Sequence, residues 1–306
     1  MSQRVQRSPF RTDALSGKVA LITGGGSGIG YEIARQYGLH GARVVIMGRR
    51  EAPLRAAVET LAKEGIEAFA ASGDVRSFED CQKVVSATVG RFGRLDILVN
   101  NAAGNFLCAA EDLSPKGFKT VLEIDTMGVF NMAQAAFPAL KESGDALIVN
   151  ISVTLHYKAT WYQIHPCAAK AAIDAMTRSF ALEWGEYQIR CNGIAPGPIG
   201  GTAGLTKLAG GAGDELIASM VPINRLGSTF DIAMSAVFMA RYAMKRLMCS
   251  LSNTFLLARA ATTSTAQTSS STAATGSSPR RSPPARPSAS SPAGTPLSSN
   301  QIARSP

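Results

Sequence analysis

Between residues 15 and 240, short apolar runs alternate with longer stretches in which apolar positions recur every three or four residues. Residues 19–23, 44–47, 97–99 and 147–151 are short and rich in β-branched side chains, which predicts buried strands. Residues 53–64 and 78–92 carry helical spacing between them. Strand–helix–strand alternation predicts an α/β fold, a Rossmann-like doubly wound parallel sheet with helices on both faces. From residue 261 the pattern is lost, and 35 of the last 46 residues are Ser, Thr, Ala or Pro. Such a segment has too little apolar surface to offset its ordering entropy, so it is expected to be disordered. The predicted organisation is an N-terminal extension over 1–14, a Rossmann-like domain over 15–240 and a basic, compositionally biased tail over 241–306.

Composition narrows the function classes. A chain of 306 residues with 45% hydrophobic and 17% charged residues can bury a substantial core. No apolar run reaches the roughly 18–20 residues that a membrane-spanning helix needs. Cys81, Cys108, Cys167, Cys191 and Cys249 are odd in number, scattered and without ligand spacing, so reduced thiols and no metal site are expected. The net charge of +9 is concentrated at one end: no acid follows Asp231, whereas eight basic residues do. The first 231 residues hold 23 basic against 22 acidic side chains, a balance that does not support a nucleic-acid-binding globule.

The chemistry-bearing signal begins at the first strand. Thr23, Gly24, Gly25, Gly26, Ser27, Gly28, Ile29 and Gly30 form a glycine-rich turn directly between a strand and a helix pattern. Glycines let backbone approach a pyrophosphate, and the helix N-terminus offers unpaired N–H groups and a positive dipole end. At the end of the second strand, where an NAD site usually carries an acid for the ribose hydroxyls, the chain has Gly48-Arg49-Arg50. A guanidinium at Arg49 suits the 2′-phosphate of NADPH, which is the expected cofactor.

Further strings complete a pattern: Asp74-Val75 after the third strand, Asn100-Asn101-Ala102-Ala103-Gly104 after the fourth, Lys170, and Pro196-Gly197-Pro198-Ile199. With the glycine turn they resemble the short-chain dehydrogenase/reductase superfamily over about residues 10–240. The resemblance implies that Asp74 and Val75 lie beside the adenine and that Asn101, Ala102, Ala103 and Gly104 line the cofactor. Lys170 would hold the nicotinamide ribose, with Pro196, Gly197, Pro198, Ile199 and Thr202 framing the nicotinamide end. One departure stands out. Where such enzymes place a catalytic tyrosine this chain has Pro166, and where they place a catalytic serine it has Val153. A hydroxyl-based alcohol–ketone mechanism therefore lacks its proton donor.

Within the superfamily, the strings at 101–107, 110–114, 118–121, 125–128, 168–172, 174–177 and 195–199 resemble the peroxisomal 2,4-dienoyl-CoA reductases, which also lack the tyrosine. That resemblance implies an acyl-CoA substrate, with Asp125 delivering the proton and Lys170 working beside it. The mitochondrial branch uses a tyrosine and an asparagine at positions that fall on Leu155 and Met127 here, which argues against that variant. Arg76, Phe106, Ser114, Lys116 and Lys207 are the residues implied to contact the acyl-CoA, and the glycines at 200–201 and 209–213 would hinge a lid. Two other readings stay open: another short-chain carbonyl or enoyl-thioester reductase using Tyr162 or His165 as acid, and a non-catalytic dinucleotide-binding variant.

The resemblance ends near Ala240, ahead of the strand that closes the sheet in relatives and helps pair their subunits. The sheet is therefore expected to lack its usual closing strand, with residues 253–257 as a candidate replacement and a homo-oligomer only if the C-terminus permits one. Peroxisomal location is implied by the resemblance alone, because Ala303-Arg304-Ser305-Pro306 is no Ser-Lys-Leu-type address; a cytoplasmic location is the other expectation.

Overall fold

A computed structural model describes residues 7–157, 159–208 and 213–241. The biased tail, the strand candidate at 253–257, the missing closing strand and part of the lid hinge at 209–213 lie outside those residues.

The elements follow one another as β1 (Val19–Thr23), α1 (Gly28–Leu39), β2 (Arg43–Gly48), α2 (Glu51–Lys63), β3 (Ala68–Ser72), α3 (Phe78–Phe92) and β4 (Ile97–Asn100). Then come α4 (Pro115–Leu122), a π-turn (Glu123–Met127), α5 (Gly128–Ser143), β5 (Ala146–Ile151), a 3₁₀ turn (Thr154–Tyr157), α6 (Ile164–Trp184) and β6 (Ile189–Ile194). The short helices α7 (Ala203–Leu208) and α8 (Asp214–Ser219) lead to α9 (Thr229–Arg241). Among the described residues the sheet has the order β3-β2-β1-β4-β5-β6, with every pairing parallel. Strand order reverses between β1 and β4, and ligands of such sheets bind outside the carboxyl ends of the strands at that point.

Strand alternation builds two separate cores. Ala20 and Ile22 of β1 face one side with α1, α2 and α9, whereas Val19 and Leu21 face the other with α3, α5 and α6. The central strands β1, β4 and β5 are buried on both faces, which is why they read as unbroken apolar runs. Helix α3 is fixed at both ends by its own sequence. Ser77 accepts from the Asp80 N–H at the start, and Gly93 closes the end at φ +76°. The N-terminal extension is tied down from residue 8 onward. Ser8 Oγ lies 2.7 Å from His40 Nε2, and the Phe10 ring packs on His40 and Phe238.

Candidate active site and dinucleotide cradle

The glycine turn is built so tightly that its own geometry tests the fit to a phosphate-bearing cofactor. Gly24 sits at φ +65°, and a Cβ there would lie 2.8 Å from Asn101 Nδ2 and 3.1 Å from the Ala102 Cα. A Cβ on Gly30 would meet the Gly24 carbonyl oxygen at 2.5 Å. Gly26 differs, since a Cβ there would make ordinary contact with Leu54 at 3.4 Å. Helix α1 opens at Gly28, and the exposed Ser27 before it makes no side-chain cap. Its first N–H groups are thereby left to an anion, so the cradle fits a dinucleotide pyrophosphate. Ile29 packs into the core beneath the turn and anchors it.

The strand ends around the cradle are cross-linked by short polar contacts. Thr23 Oγ1 accepts the N–H groups of Asn101 (2.9 Å) and Ala102 (3.0 Å), and Asn101 Nδ2 donates to the Thr23 carbonyl at 3.0 Å. These bonds join the end of β1 to the loop after β4, where Ala103 and Gly104 continue along the edge. Below them, Asn100 Nδ2 donates to Asn150 Oδ1 and Asn150 Nδ2 to Thr177 Oγ1, each at 2.8 Å, all three residues buried. Reading residue types alone missed this ladder. Its signal is an asparagine in the last or next-to-last position of consecutive strands that pair in register.

Arg49 is exposed at the end of β2, and its charge acts on Asp74 at the end of β3. Burial works to raise the Asp74 carboxyl, but hydrogen bonds from Arg76 and the charges of Arg76 and Arg49 outweigh it and hold the pKa below the usual carboxylate value. Arg76 is expected as an acyl-CoA contact; here its guanidinium is bidentate on Asp74. Val75 is buried, and its carbonyl accepts from Asn131 Nδ2 at 3.0 Å. Its side chain abuts Gly128, where an added Cβ would lie 2.7 Å from Val75 Cγ2.

The π-turn places Asp125, 1% exposed, at the carboxyl ends of the strands. A single widened turn inside a helix re-aims one side chain and is frequent at functional sites. Asp125 Oδ1 accepts the Gly104 N–H at 2.7 Å, and Oδ2 lies 3.1 Å from Lys170 Nζ. Lys170, itself buried on α6, donates also to the Ile151 carbonyl at 3.1 Å. Burial raises the Asp125 carboxyl above its ordinary value even though Lys170, the Gly104 N–H and His165 all favour the charged form. A carboxyl group that holds its proton at higher pH sits beside an ammonium.

Pro166 is buried in the first turn of α6, a position that tolerates proline because its N–H would have no helical partner. Val153, half-buried after β5, offers no hydroxyl. His165 is fully buried, and its Nε2 meets the Phe106 carbonyl at 3.0 Å. Tyr162 stands at φ +63°, with its carbonyl accepting the Cys108 N–H at 3.0 Å.

The other sequence candidates divide. Pro196 and Ile199 are buried beyond β6, and the Pro196 carbonyl accepts the Thr154 N–H at 3.2 Å. Gly197 and Pro198 lie half-buried between them. The Thr202 hydroxyl is engaged locally, donating to the Ile199 carbonyl at 2.9 Å and accepting the Leu205 N–H at 3.2 Å. Phe106 is half-buried with its ring 4.3 Å from the His165 ring centroid. Ser114 accepts the Gly117 N–H at 3.1 Å, so its hydroxyl serves as the cap of α4. Lys116 and Lys207 are exposed on α4 and α7, and neither makes a hydrogen bond or ion pair with Asp125 or Lys170.

The profile of the short chain dehydrogenase family matches residues 18–213. The chain belongs to the short chain dehydrogenase family. Among curated relatives of this short chain dehydrogenase, the peroxisomal 2,4-dienoyl-CoA reductase [(3E)-enoyl-CoA-producing] of Arabidopsis thaliana is 56% identical over 242 residues, covering 76% of this chain and 81% of the relative. The protein of the same description from Danio rerio is 44% identical, over 76% of this chain and 79% of its own. A probable 2,4-dienoyl-CoA reductase [(2E)-enoyl-CoA-producing] of Bacillus subtilis is 38% identical, over 72% and 89%. A crystal structure of a short chain dehydrogenase from Bacillus anthracis superposes with a TM-score of 0.71 at 39% identity, covering 76% of this chain and 92% of that one.

Proposed function

We propose that this short chain dehydrogenase reduces 2,4-dienoyl-CoA esters with NADPH, giving (3E)-enoyl-CoA. The observation that carries the reading is the buried Asp125–Lys170 pair in a chain that has Pro166, one turn before Lys170 on α6, in place of the family's tyrosine. The relatives named as dienoyl-CoA reductases support the substrate class, and the peroxisomal description of the more similar ones supports that location.

The bound nicotinamide would supply a hydride to the far end of the conjugated diene. Negative charge then collects on the thioester oxygen, giving a dienolate that needs a positive field and a proton on carbon. Lys170, held by Ile151 and Asp125, places an ammonium at this point of the site and stabilises that charge. Asp125, with its raised pKa, holds a proton for the carbon next to the thioester, and protonation there leaves the double bond at the 3-position. Hydride delivery and carbon protonation need not be simultaneous, so no tyrosine is required. Gly24, Gly28 and Gly30 would cradle the pyrophosphate, Arg49 would meet the 2′-phosphate, and Phe106 would offer a flat face to the diene.

Purified full-length protein mixed with NADPH and a 2,4-dienoyl-CoA should oxidise the nicotinamide and release a 3-enoyl product; a simple ketone should not. Turnover of the ketone with none of the dienoyl-CoA would replace this reading with a carbonyl reductase.

A further inference from the structure

Residues 104–108 form no helix or strand, yet their polar groups are fixed from two directions. On one side the Gly104 N–H donates to Asp125 Oδ1 at 2.7 Å. On the other, residues 162–165, at and just before the start of α6, make three bonds, each 3.0 Å long: Asn105 Nδ2 to Gln163 Oε1, His165 Nε2–H to the Phe106 carbonyl, and the Cys108 N–H to the Tyr162 carbonyl. Tyr162, whose carbonyl accepts from Cys108, stands at a left-handed φ of +63°, a cost that a non-glycine residue bears only where surroundings enforce it.

His165 is the centre of this clamp. A carbonyl oxygen can only accept, so Nε2 carries the hydrogen, and Nδ1 has no hydrogen-bond partner among the described residues. The imidazole also stacks on Phe106, centroids 4.3 Å apart and planes tilted by 33°. Burial lowers its pKa, which keeps the ring neutral and the Nε2–H in place. With Nε2–H committed to a backbone carbonyl, the ring is not set up to hand that proton to substrate.

We infer that His165 is a positioning residue: its Nε2–H and ring fix Phe106, and so the acyl chain, at a set place relative to Asp125 and Lys170. The identity of the acyl ligand rests on the proposed function; the clamp itself does not. Loop 104–108 touches Asp125 at one end and His165 at the other, so loosening the clamp should weaken acyl-CoA binding first and leave the dinucleotide cradle alone.

Three variants of the full chain separate the parts. His165→Gln keeps an N–H donor without the ring, His165→Phe keeps the ring without the donor, and His165→Leu keeps neither. For His165→Leu, KM for a 2,4-dienoyl-CoA should rise by about tenfold while kcat changes by less than about threefold. NADPH affinity should hold, and hydrogen exchange over 104–108 should quicken. The Gln and Phe variants should fall between, each restoring part of the KM. Two results would overturn the inference. One is unchanged KM and unchanged exchange in His165→Leu. The other is a collapse of kcat at constant KM that Gln does not rescue, which would make the imidazole a proton carrier. If the unaltered protein turns over no dienoyl-CoA, the substrate assignment fails, and the exchange of 104–108 in all three variants still decides the clamp. Should His165→Leu not fold, the Gln and Phe pair carries the same comparison.

Discussion

Asp125 Oδ2 and Lys170 Nζ lie 3.1 Å apart, with both residues buried. One stands on the π-turn and the other on α6, with α5 and β5 between those elements in the chain. Removing either partner leaves the other charge buried, which in proteins costs about 3–5 kcal/mol. Substitutions must therefore be chosen to separate chemistry from folding.

Asp125→Asn keeps an acceptor for the Gly104 N–H and removes the acidic proton. It should lower dienoyl-CoA turnover by about two or more orders of magnitude, the range for a lost general acid. NADPH affinity should stay close to that of the unaltered protein. Near-normal turnover, measured by steady-state kinetics beside a melting curve, would reduce Asp125 to a structural role.

The raised Asp125 pKa gives the pH dependence a sign. The proton is held at lower pH and lost as pH rises through the raised value, so kcat should decline on the alkaline side with unit slope. The residual activity of Asp125→Asn should lack that decline. A kcat profile that rises with pH in the unaltered protein would contradict the assignment.

Arg49 faces the end of β3 and acts on Asp74, with no acid at its own strand end to take a ribose hydroxyl. NADPH should bind at least about tenfold more tightly than NADH, about 1.4 kcal/mol, and Arg49→Ala should remove most of that difference. Titration of both nucleotides by fluorescence checks this, and equal affinities in the unaltered protein would refute it.

Asn150 joins Asn100 to Thr177 across three elements. Asn150→Ala should strand the Asn100 amide in the interior and cost about 1–3 kcal/mol, visible as a lower denaturant midpoint. A loss below about 0.5 kcal/mol would mean that the cavity rehydrates or that the ladder is dispensable.

How far the sequence reaches depends on the range of the forces involved. The runs at 19–23 and 78–92 coincide with β1 and α3, because a strand buried on both faces and a capped amphipathic helix are local patterns. The helix expected over 53–64 begins two residues earlier, at Glu51, and ends at Lys63. The edge strand β3, Ala-Phe-Ala-Ala-Ser, has no β-branched residue and one aromatic, so its own composition marks it only weakly as strand. Pairing with β2 makes it one.

The site divides along the same line. The glycine turn, Lys170 and the Pro166 substitution are visible in the chain because each is a residue type at a fixed offset from a strand or helix pattern. Tertiary structure alone decided that Arg76 closes on Asp74, that the Ser114 hydroxyl is used as a helix cap, and that a π-turn aims Asp125 at Lys170. Those outcomes depend on which groups meet after the strands pair. Burial then sets the protonation of Asp125, and burial is a property of the packed molecule that no local run of residues carries.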